Sequence, residues 1–436
     1  MYQVNLQSIT ERLPEINNQL INGKKSILKK QQRKLYSKIV ALFAPILLIG
    51  LFASCQESGS VGGAIEQPED RVVTTEIEIT NISVLSENGY SGRLLNTAAG
   101  FMEDPLFGTV ESATLIKPSI TQSNIAEITE ESEVKLRLVL NPLKLGVDAR
   151  VDYNVYEVDE IWRGRQLHYN TPVAINTGNL VGSFSARNES SVDVQLSDTW
   201  VESFKQKFNN ESANRDSTYR YEFPGLAVVA AGQNQRTHFF RYQPTEDDTL
   251  EVGITRLIVE NQEDTLSGDL PMLDWATTMT RQNVPEADNS FILHNTLETV
   301  LQLDFDIDSE QFRNQQIVNV QLVFHENEEI PMSGNFERPL VNSIRGHAFT
   351  LEPESLVNDI FARQAFFVST RTDDGIFKLN VTDFILNHLF GEDETPTLYF
   401  SAQTNNGIFY STKLYNQNGP ANKTPRLVIT SIKPEE

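Results

Sequence analysis

Cysteine is nearly absent from this 436-residue chain, because Cys55 is the only one. A single cysteine excludes an intramolecular disulfide and a zinc site built from several cysteines. Histidine is also scarce, with six residues and no pair at the spacings that bind zinc. The sequence motifs of serine hydrolases, zinc proteases, phosphate-binding loops and dinucleotide-binding folds are missing as well. These absences predict a protein that is not an enzyme.

Basic residues are also few relative to acidic ones. The formal net charge is −23, from 36 basic and 59 acidic residues. Residues 1–54 hold eight of the basic residues and two of the acidic ones, so the remainder has a net charge of −29. A body this acidic repels nucleic acid and anionic membrane surfaces. We therefore expect no nucleic-acid partner.

Residues 24–55 are organised like a secretory signal. Lys24–Lys38 contains seven basic residues and no acidic one. Ile39–Ala53 is an uncharged apolar run of 15 residues, shorter than the roughly 20 residues that a membrane-spanning helix needs. Small residues follow, as in secretory signals, and Cys55 comes directly after them.

The position of Cys55 resembles that of the lipidated cysteine in bacterial lipoprotein signals. Phe52 departs from the pattern, because leucine is commonest there. The alternatives are a plain membrane anchor or an ordinary signal peptide with a chance cysteine. We expect a lipid anchor at Cys55, which places the protein at the outer membrane, on its periplasmic or its cell-surface face.

The sequence divides into four regions. Residues 1–54 form the signal segment, of which residues 1–23 are either an extended n-region or the product of a misassigned start codon. Residues 55–71 are rich in glycine and serine and form a flexible lipidated tether. Residues 72–285 and 286–436 are each expected to form a β-sandwich module.

Alternating apolar and polar residues dominate the chain from Arg71 onward, which predicts half-buried antiparallel strands. In both halves one such strand runs into a Ser/Thr-Asp pair and a short amphipathic segment. Counted from Asp198 or from Asp383, apolar residues fall at −6, −4, −2, +2, +3 and +6 in both halves. We expect each aspartate to cap a short helix. Agreement over so many positions indicates two copies of one module, the alternative being two unrelated β-domains.

The predicted fold class is therefore all-β. It comprises two consecutive antiparallel β-sandwich modules, jelly-roll-like, each with one short helix, after a lipoprotein signal and a flexible tether.

Three segments also carry a family resemblance. Residues 377–383 and 424–429 resemble the DNRLRE-type β-sandwich module, which has a strand, a Thr-Asp pair and a short helix and which ends in a Pro-x-Leu strand. Residues 103–110 resemble a segment of uncharacterised Bacteroidetes outer-membrane lipoproteins, although Asn96 replaces a glycine of their pattern. The resemblance implies a β-sandwich fold. It also implies a polysaccharide ligand, because some modules of this type are described as polysaccharide-binding.

The only compact basic and aromatic cluster is the first candidate site. It consists of Trp162, Arg163, Arg165, His168 and Tyr169. Aromatic faces can pack against sugar rings, and arginine supplies planar donors. The alternative is that Trp162 belongs to the core, whereas Arg163 and Tyr169 are expected outside it. Neutral glycans are expected first, because an acidic body repels acidic glycans unless this loop or Ca²⁺ intervenes.

An acidic cluster is the second candidate site, for Ca²⁺. Asp304, Asp306, Asp308 and Glu310 alternate along a predicted strand, which would place four carboxylates on one face. The alternative is the solvated side of a half-buried strand, because the glycine and the spacing of a calcium loop are missing. No other cofactor is expected.

These observations together predict a non-catalytic cell-envelope lipoprotein that binds extracellular or envelope components, with polysaccharide favoured. The first alternative is a structural or accessory subunit of an outer-membrane complex, bound to an envelope protein. The second is a secreted hydrolase, for which the sequence offers no nucleophile or metal motif.

Overall fold

The computed structural model describes residues 71–121, 125, 127–243, 253–261, 267–296, 299–305, 307–330, 335–349, 367–391 and 397–434. The predicted signal segment, Cys55 and nearly all of the tether lie outside these residues. No helix within the described ranges is long and apolar enough to cross a membrane.

The described chain folds mainly into strands. The strands are β1 Arg71–Glu78, β2 Ile82–Ser86, β3 Asn96–Asp104, β4 Gly108–Pro118, β5 Glu133–Val139, β6 Leu145–Val147, β7 Val151–Val158, β8 Ile175–Ala186, β9 Ser191–Gln195, β10 Leu226–Ala230, β11 Arg236–Arg241, β12 Arg256–Glu260, β13 Gly268–Gln282, β14 Ser290–His294, β15 Thr299–Leu303, β16 Gln316–His325, β17 Phe336–Glu337, β18 Ser343–Phe349, β19 Phe367–Thr370, β20 Ile376–Asn380, β21 Thr397–Ala402, β22 Ser411–Tyr415 and β23 Arg426–Lys433. The helices are α1 Asp198–Phe208, α2 Arg215–Glu222 and α3 Thr382–Phe390.

Hydrophobic alternation explains why these segments are strands. In β5, Val134, Leu136 and Leu138 are buried, while the residues between them are only partly covered. Such a strand buries one face and exposes the other to solvent, as the strands of a β-sandwich do. All of the strand pairs in the described sheets are antiparallel. The predicted all-β sandwich class is confirmed.

The chain contains two sandwiches with the same strand order, here called module 1 and module 2. Module 1 has one layer in the order β12-β5-β9 and another in the order β4-β10-β7-β8. Module 2 has the corresponding layers β23-β16-β20 and β15-β21-β18-β19. In both modules the corresponding strands also follow one another in the same sequence along the chain. This agreement supports the interpretation of the two halves as copies of one module.

The registers of the equivalent strands agree as well. The equivalent cross-strand triplets are Val194–Leu136–Leu257 in module 1 and Leu379–Leu322–Leu427 in module 2. Val194 and Leu379 both lie four residues before the aspartate from which the sequence repeat was counted. The apolar positions that match in sequence therefore also match in their sheet neighbours.

The two modules obtain their last strands from different parts of the chain. In module 1, β13 begins beside β12 and then crosses to pair with β4, with an irregularity between Met272 and Asp274. In module 2, β1 pairs with β23 and β2 pairs with β15. The β1–β2 segment thus occupies the place in module 2 that β13 occupies in module 1.

This arrangement changes the module boundaries. We expected residues 72–285 to belong to one module, but β1 and β2 pair only with strands of module 2. Module 1 begins at β3, and module 2 consists of β14 to β23 completed by β1 and β2. The reason is that β23 and β15 would otherwise leave a row of backbone groups without a partner strand.

The helices differ in two respects from the sequence prediction. Module 1 contains α2 in addition to the expected α1; its composition is largely polar, so no apolar stripe predicted it. The aspartates do not cap their helices either. The N-cap residues are Ser197 and Val381, neither makes a side-chain cap bond, and both Asp198 and Asp383 are exposed. Thr382 instead fixes the start of α3 by accepting a hydrogen bond from the Val320 amide at 2.8 Å.

The two modules share a continuous apolar core. Phe107, Tyr169 and Phe239 of module 1 belong to the same buried cluster as Phe324 and Phe400 of module 2. Strand β6 also pairs with β17 across the junction. A buried ion pair lies at the same junction, where Arg338 Nη2 is 2.5 Å from Asp104 Oδ2. The folded unit is therefore one body built from two copies.

Candidate functional site

A pocket of about 340 Å³ opens on module 1 and is lined mainly by basic residues. We call it the basic pocket; its lining residues are Arg93, Lys117, Arg163, Arg165, Gln166, Arg220, Tyr221, Leu273 and Asp274. Five of these nine residues are basic and one is acidic. In the chain as a whole acidic residues outnumber basic ones, 59 to 36.

Two glycines allow the backbone segments of the pocket to approach each other. A Cβ atom on Gly92 would lie 1.9 Å from the Gly164 carbonyl oxygen, and one on Gly164 would lie 2.3 Å from Asp274 Oδ1. Neither position can accept a side chain without a shift of backbone or of the buried carboxylate. Arg93 follows with a left-handed φ of 57°, which turns the chain so that its side chain reaches Asp274.

Asp274 organises the floor of the basic pocket. It is 8 % exposed and accepts hydrogen bonds from Arg93 Nε at 2.9 Å and from the Gly164 amide at 3.0 Å. Arg93 also donates from Nη2 to the Leu273 carbonyl at 3.1 Å. The single carboxylate of the pocket is therefore already engaged with one guanidinium and one backbone amide.

Lys117 lies opposite Asp274 in the β4–β13 ladder and is 1 % exposed. Its Nζ lies 5.3 Å from the centre of the Trp162 ring and donates to the Arg220 carbonyl at 3.4 Å. Burial lowers the pKa of Lys117 to about 8; the charge of Asp274 opposes that shift and the charge of Arg163 adds to it. No carboxylate among the described residues lies within ion-pair distance of this ammonium group.

Three arginines complete the basic pocket. The Arg163 guanidinium lies over the Tyr221 ring at 4.6 Å, and both side chains are exposed. Arg165, on the short 3-10 turn Gly164–Gln166, and Arg220, on α2, are exposed. None of the three arginine side chains has an ion-pair partner in the described part of the chain. The pocket therefore presents three guanidinium groups and one ammonium group without a counter-ion of their own.

The predicted basic and aromatic cluster is only partly at this pocket. Trp162 is 4 % exposed and donates from Nε1 to the Pro224 carbonyl at 2.6 Å. It packs with Leu167 on Leu115 and Ala227, so the alternative that Trp162 belongs to the core is the correct one. Of the five predicted residues, Arg163 and Arg165 line the basic pocket.

The expectation that Tyr169 lies outside the core is wrong. Tyr169 is fully buried, and its hydroxyl donates to Asn405 Oδ1 of module 2 at 2.9 Å. It is buried because the loop turns back into the junction, where the Met279 amide donates to the Tyr169 carbonyl. His168 is half-buried and packs on Tyr90 with ring centres 4.3 Å apart.

Comparison with known proteins does not identify a family for this chain. No protein-family model and no curated protein matches the chain. Solved structures to which it bears a weak likeness include a nodavirus of Macrobrachium rosenbergii, at 9 % identity and a TM-score of 0.12 over 87 % of this chain and 93 % of that one. Another is the VP2 subviral particle of infectious bursal disease virus, at 10 % identity and a TM-score of 0.14 over 87 % and 80 %. Likeness at these TM-scores supports no statement about fold or function, and the resemblance to DNRLRE-type modules stays an expectation.

The same position in module 2 carries the opposite charge. Lys117 follows Ile116, which pairs with Leu226 of β10. Asp304 follows Leu303, which pairs with Leu398 of the equivalent strand β21. A smaller pocket of about 110 Å³ lies there, and its lining residues are Ile77, Glu78, Ile79, Thr80, Asn81, Asp304, Phe305, Ile307 and Leu427. None of these is basic, so the module fold does not require cations at this place.

The predicted Ca²⁺ cluster does not assemble among the described residues. Strand β15 ends at Leu303, so Asp304 and the residues after it do not share a strand face. Asp308 caps a 3-10 turn by accepting from the Glu310 amide at 2.9 Å, and Glu310 pairs with Arg313 at 3.0 Å. Asp306 lies outside the described residues. No group of three or more metal-ligating side chains occurs in the part of the chain that the structure describes.

Sequence reasoning missed four of the residues that line the basic pocket. Arg93, Lys117, Arg220 and Asp274 come from four distant segments, and only their sheet pairing and the return of α2 bring them together. One signal was present in the sequence. Lys117 follows the apolar run Leu115-Ile116, and a lysine directly after such a run in an acidic chain is unusual.

Proposed function

We propose that this chain is a non-catalytic cell-envelope lipoprotein that binds polysaccharide, and that the basic pocket holds one sugar unit of that ligand. The observation that carries the proposal is the pocket itself, where planar donors and an exposed aromatic ring meet. Ligand pockets in proteins span about 300–1,000 Å³, and the basic pocket, at about 340 Å³, lies at the lower end of that range. A volume of this size suits one unit of a longer chain that continues into solvent.

The chemistry of the lining residues supports a carbohydrate ligand. Tyr221 is 48 % exposed beside the pocket, so part of its ring is free to pack against the apolar face of a sugar. Arg163, Arg165 and Arg220 offer planar sets of N–H donors for ring hydroxyls or for charged substituents.

The same lining residues support binding without catalysis. Glycoside hydrolysis generally uses two carboxyl groups on opposite sides of the scissile bond. Among the described residues, Asp274 is the only carboxylate of the pocket, and it is engaged with Arg93 and with the Gly164 amide.

The lipid anchor is proposed from Lys24–Lys38, Ile39–Ala53 and Cys55 in the sequence. Two or more acyl chains on Cys55 give stable membrane attachment. The variant Cys55→Ala should yield an uncleaved or a soluble protein when cells are fractionated. If the variant still fractionates as a mature, membrane-bound protein, the anchor is not at Cys55.

Affinity gel electrophoresis tests the binding proposal. The full chain in mild detergent is run through gels that contain either a neutral or an acidic polysaccharide, next to gels without polysaccharide. We expect retardation by at least one polysaccharide, and its loss in the double variant Arg163→Gln and Arg220→Gln. Arg313→Gln is the matched control, because it removes one arginine charge from an exposed site of module 2. Retardation by no polysaccharide would contradict the proposal and favour the alternative of an accessory subunit that binds an envelope protein.

A further inference from the structure

We infer that the basic pocket recognises an oxyanion, so that the sugar unit it binds is acidic, bearing a carboxylate or a sulfate ester. This inference rests on the proposed function and adds the chemical class of the ligand. It replaces the sequence-based expectation that neutral glycans come first.

The charge of the pocket is the first argument. Asp274 is neutralised by Arg93, which leaves Lys117, Arg163, Arg165 and Arg220 with no carboxylate partner among the described residues. The Arg163 charge acts on Lys117, as its contribution to the lowered pKa of that lysine indicates, so these two cations repel each other. An anion that enters the pocket removes that repulsion, which makes its binding favourable.

Lys117 supplies the second argument, because a buried ammonium group is costly without a partner. Its Nζ has the Trp162 ring on one side and a long hydrogen bond to the Arg220 carbonyl, and it lines the pocket. Two of its three donors therefore have no partner among the described residues. The lowered pKa of Lys117 reflects the same burial and the same nearby Arg163 charge. An oxyanion is the group that satisfies both the donors and the charge.

Module 2 supplies the third argument. Where module 1 has Lys117, module 2 has Asp304, and its smaller pocket also contains Glu78. The two copies share strand order and register but not this charge. The strand arrangement that the two modules share therefore does not require a cation at the position of Lys117.

The lining residues also indicate which anionic groups the pocket can bind. Guanidinium groups bind carboxylate, sulfate and phosphate through two parallel N–H···O bonds. Tyr221 adds a surface for the ring that carries the anion. A uronic acid or a sulfated sugar offers both groups, whereas a free inorganic anion offers only the charge.

Titration calorimetry on the full chain in detergent separates these ligands. The probes are sodium galacturonate with galactose as its neutral partner, glucose 6-sulfate with glucose, and sodium sulfate alone. We expect one of the two acidic sugars to bind at least about tenfold more tightly than its neutral partner and than sulfate. Which acidic sugar binds distinguishes carboxylate from sulfate recognition. Equal binding of the acidic and neutral partners overturns the inference.

Variants locate the site. Lys117→Met keeps the length of the side chain, and the double variant Arg163→Gln and Arg220→Gln changes only exposed groups. Each should weaken binding of the acidic sugar about tenfold or more, while Arg313→Gln leaves it unchanged. Unchanged affinity in the double arginine variant, with intact thermal unfolding, overturns the inference, and this test stands even if Lys117→Met proves unstable.

Polysaccharide gels separate the failure of this inference from the failure of the proposed function. Retardation by neutral polysaccharide that persists in the pocket variants keeps polysaccharide binding and removes the acidic pocket ligand. Tight binding of an acidic monosaccharide with no retardation by any polysaccharide keeps the anion site and removes polysaccharide as the ligand.

Discussion

Module 1 and module 2 are built on the same order of strands but are completed by different parts of the chain. In module 1 the last hairpin, β12–β13, is continuous, with residues 261–267 between its strands. In module 2 the equivalent pair, β23 and β1, comes from opposite ends of the described chain, with Arg71 facing Lys433. Both copies therefore have a strand beside β12 or its equivalent β23, although a different part of the chain supplies it in each copy.

Charge is the second difference between the modules. The residue after Ile116 in module 1 is Lys117, and the residue after the equivalent Leu303 in module 2 is Asp304. A feature that both copies share is explained by the fold, and a feature that only one copy has calls for another explanation. By that criterion the inward-facing apolar residues are structural, and the basic pocket is the part of module 1 to be tested for binding.

Removing β1 and β2 should have the largest effect. A chain that begins at residue 87 leaves β23 and β15 without a neighbour, so we expect module 2 to lose its cooperative unfolding transition. The loss amounts to the whole stability of the module, about 5–15 kcal/mol for a typical domain. Differential scanning calorimetry measures it, with a chain that begins at residue 60 as the matched control.

A rearranged chain sharpens the same comparison. Residues 71–86 joined by a short linker after residue 436 would give module 2 a continuous hairpin like β12–β13. We expect this rearranged chain to regain the cooperative unfolding transition of module 2. If the chain that begins at residue 87 unfolds like the control, β1 and β2 are not required by module 2.

Breaking the buried ion pair between the modules should have the next largest effect. Asp104 is 4 % exposed, also accepts hydrogen bonds from the Leu106 and Phe107 amides, and pairs with Arg338. Asp104→Asn leaves the Arg338 guanidinium buried without a counter-charge, which costs about 3–5 kcal/mol. Urea unfolding measures the change. The control is Glu310→Gln, which breaks an exposed pair worth about 0–1 kcal/mol.

Lys117 should make the stability of module 1 depend on pH. Its pKa is lowered to about 8 in the folded chain from a model-peptide value of 10.5. Between these values the folded chain binds fewer protons than the unfolded chain, so stability rises as pH rises. We expect Lys117→Met to lack this rise and to be as stable as the parent at pH 7, or more stable by up to about 2 kcal/mol. Thermal unfolding from pH 7 to pH 10 measures both effects; the same slope in the variant would contradict the assignment to Lys117.

Substitutions at the first turns of α1 and α3 should have the smallest effect on stability. Asp198 and Asp383 are exposed in the first turns of α1 and α3 and make no capping bond. Only their interaction with the helix dipole is lost on substitution by alanine, about 0.3–1 kcal/mol each. Equal, small shifts in the urea midpoint are expected for both variants. A loss near 2 kcal/mol at either position would restore the capping role that the sequence suggested.

Local patterns predicted the strands because burial of one face acts over neighbouring residues. Val134–Leu138 and Val192–Leu196 alternate and form β5 and β9, and the repeat around Asp198 and Asp383 predicted both short helices. The pairing of β1 with β23 could not be predicted, because nothing in either segment specifies a partner that far away along the chain. The α2 helix was missed because its composition is largely polar and Tyr219 is its one buried residue.

The candidate site was predictable only in its exposed part. Arg163 and Arg165 stood out because basic residues are rare in an acidic chain. Tyr169 looked equally available, but its burial depends on Asn405, a residue of the other module. Lys117 and Asp274 are neighbours only through the ladder of β4 and β13. Contacts between distant segments decide which of the basic residues share a pocket.

The path of the chain from Arg71 to Arg93 also sets how the molecule carries mechanical load. Tension applied at the N-terminal end of the described chain enters at β1, whose eight residues all pair with β23. A pull along the strand strains these backbone hydrogen bonds together, whereas a pull across it opens them one after another. Beyond β2 the chain reaches Arg93 and the basic pocket. Force between this end of the described chain and the basic pocket therefore passes through module 2 first, and module 1 is the last part to be deformed.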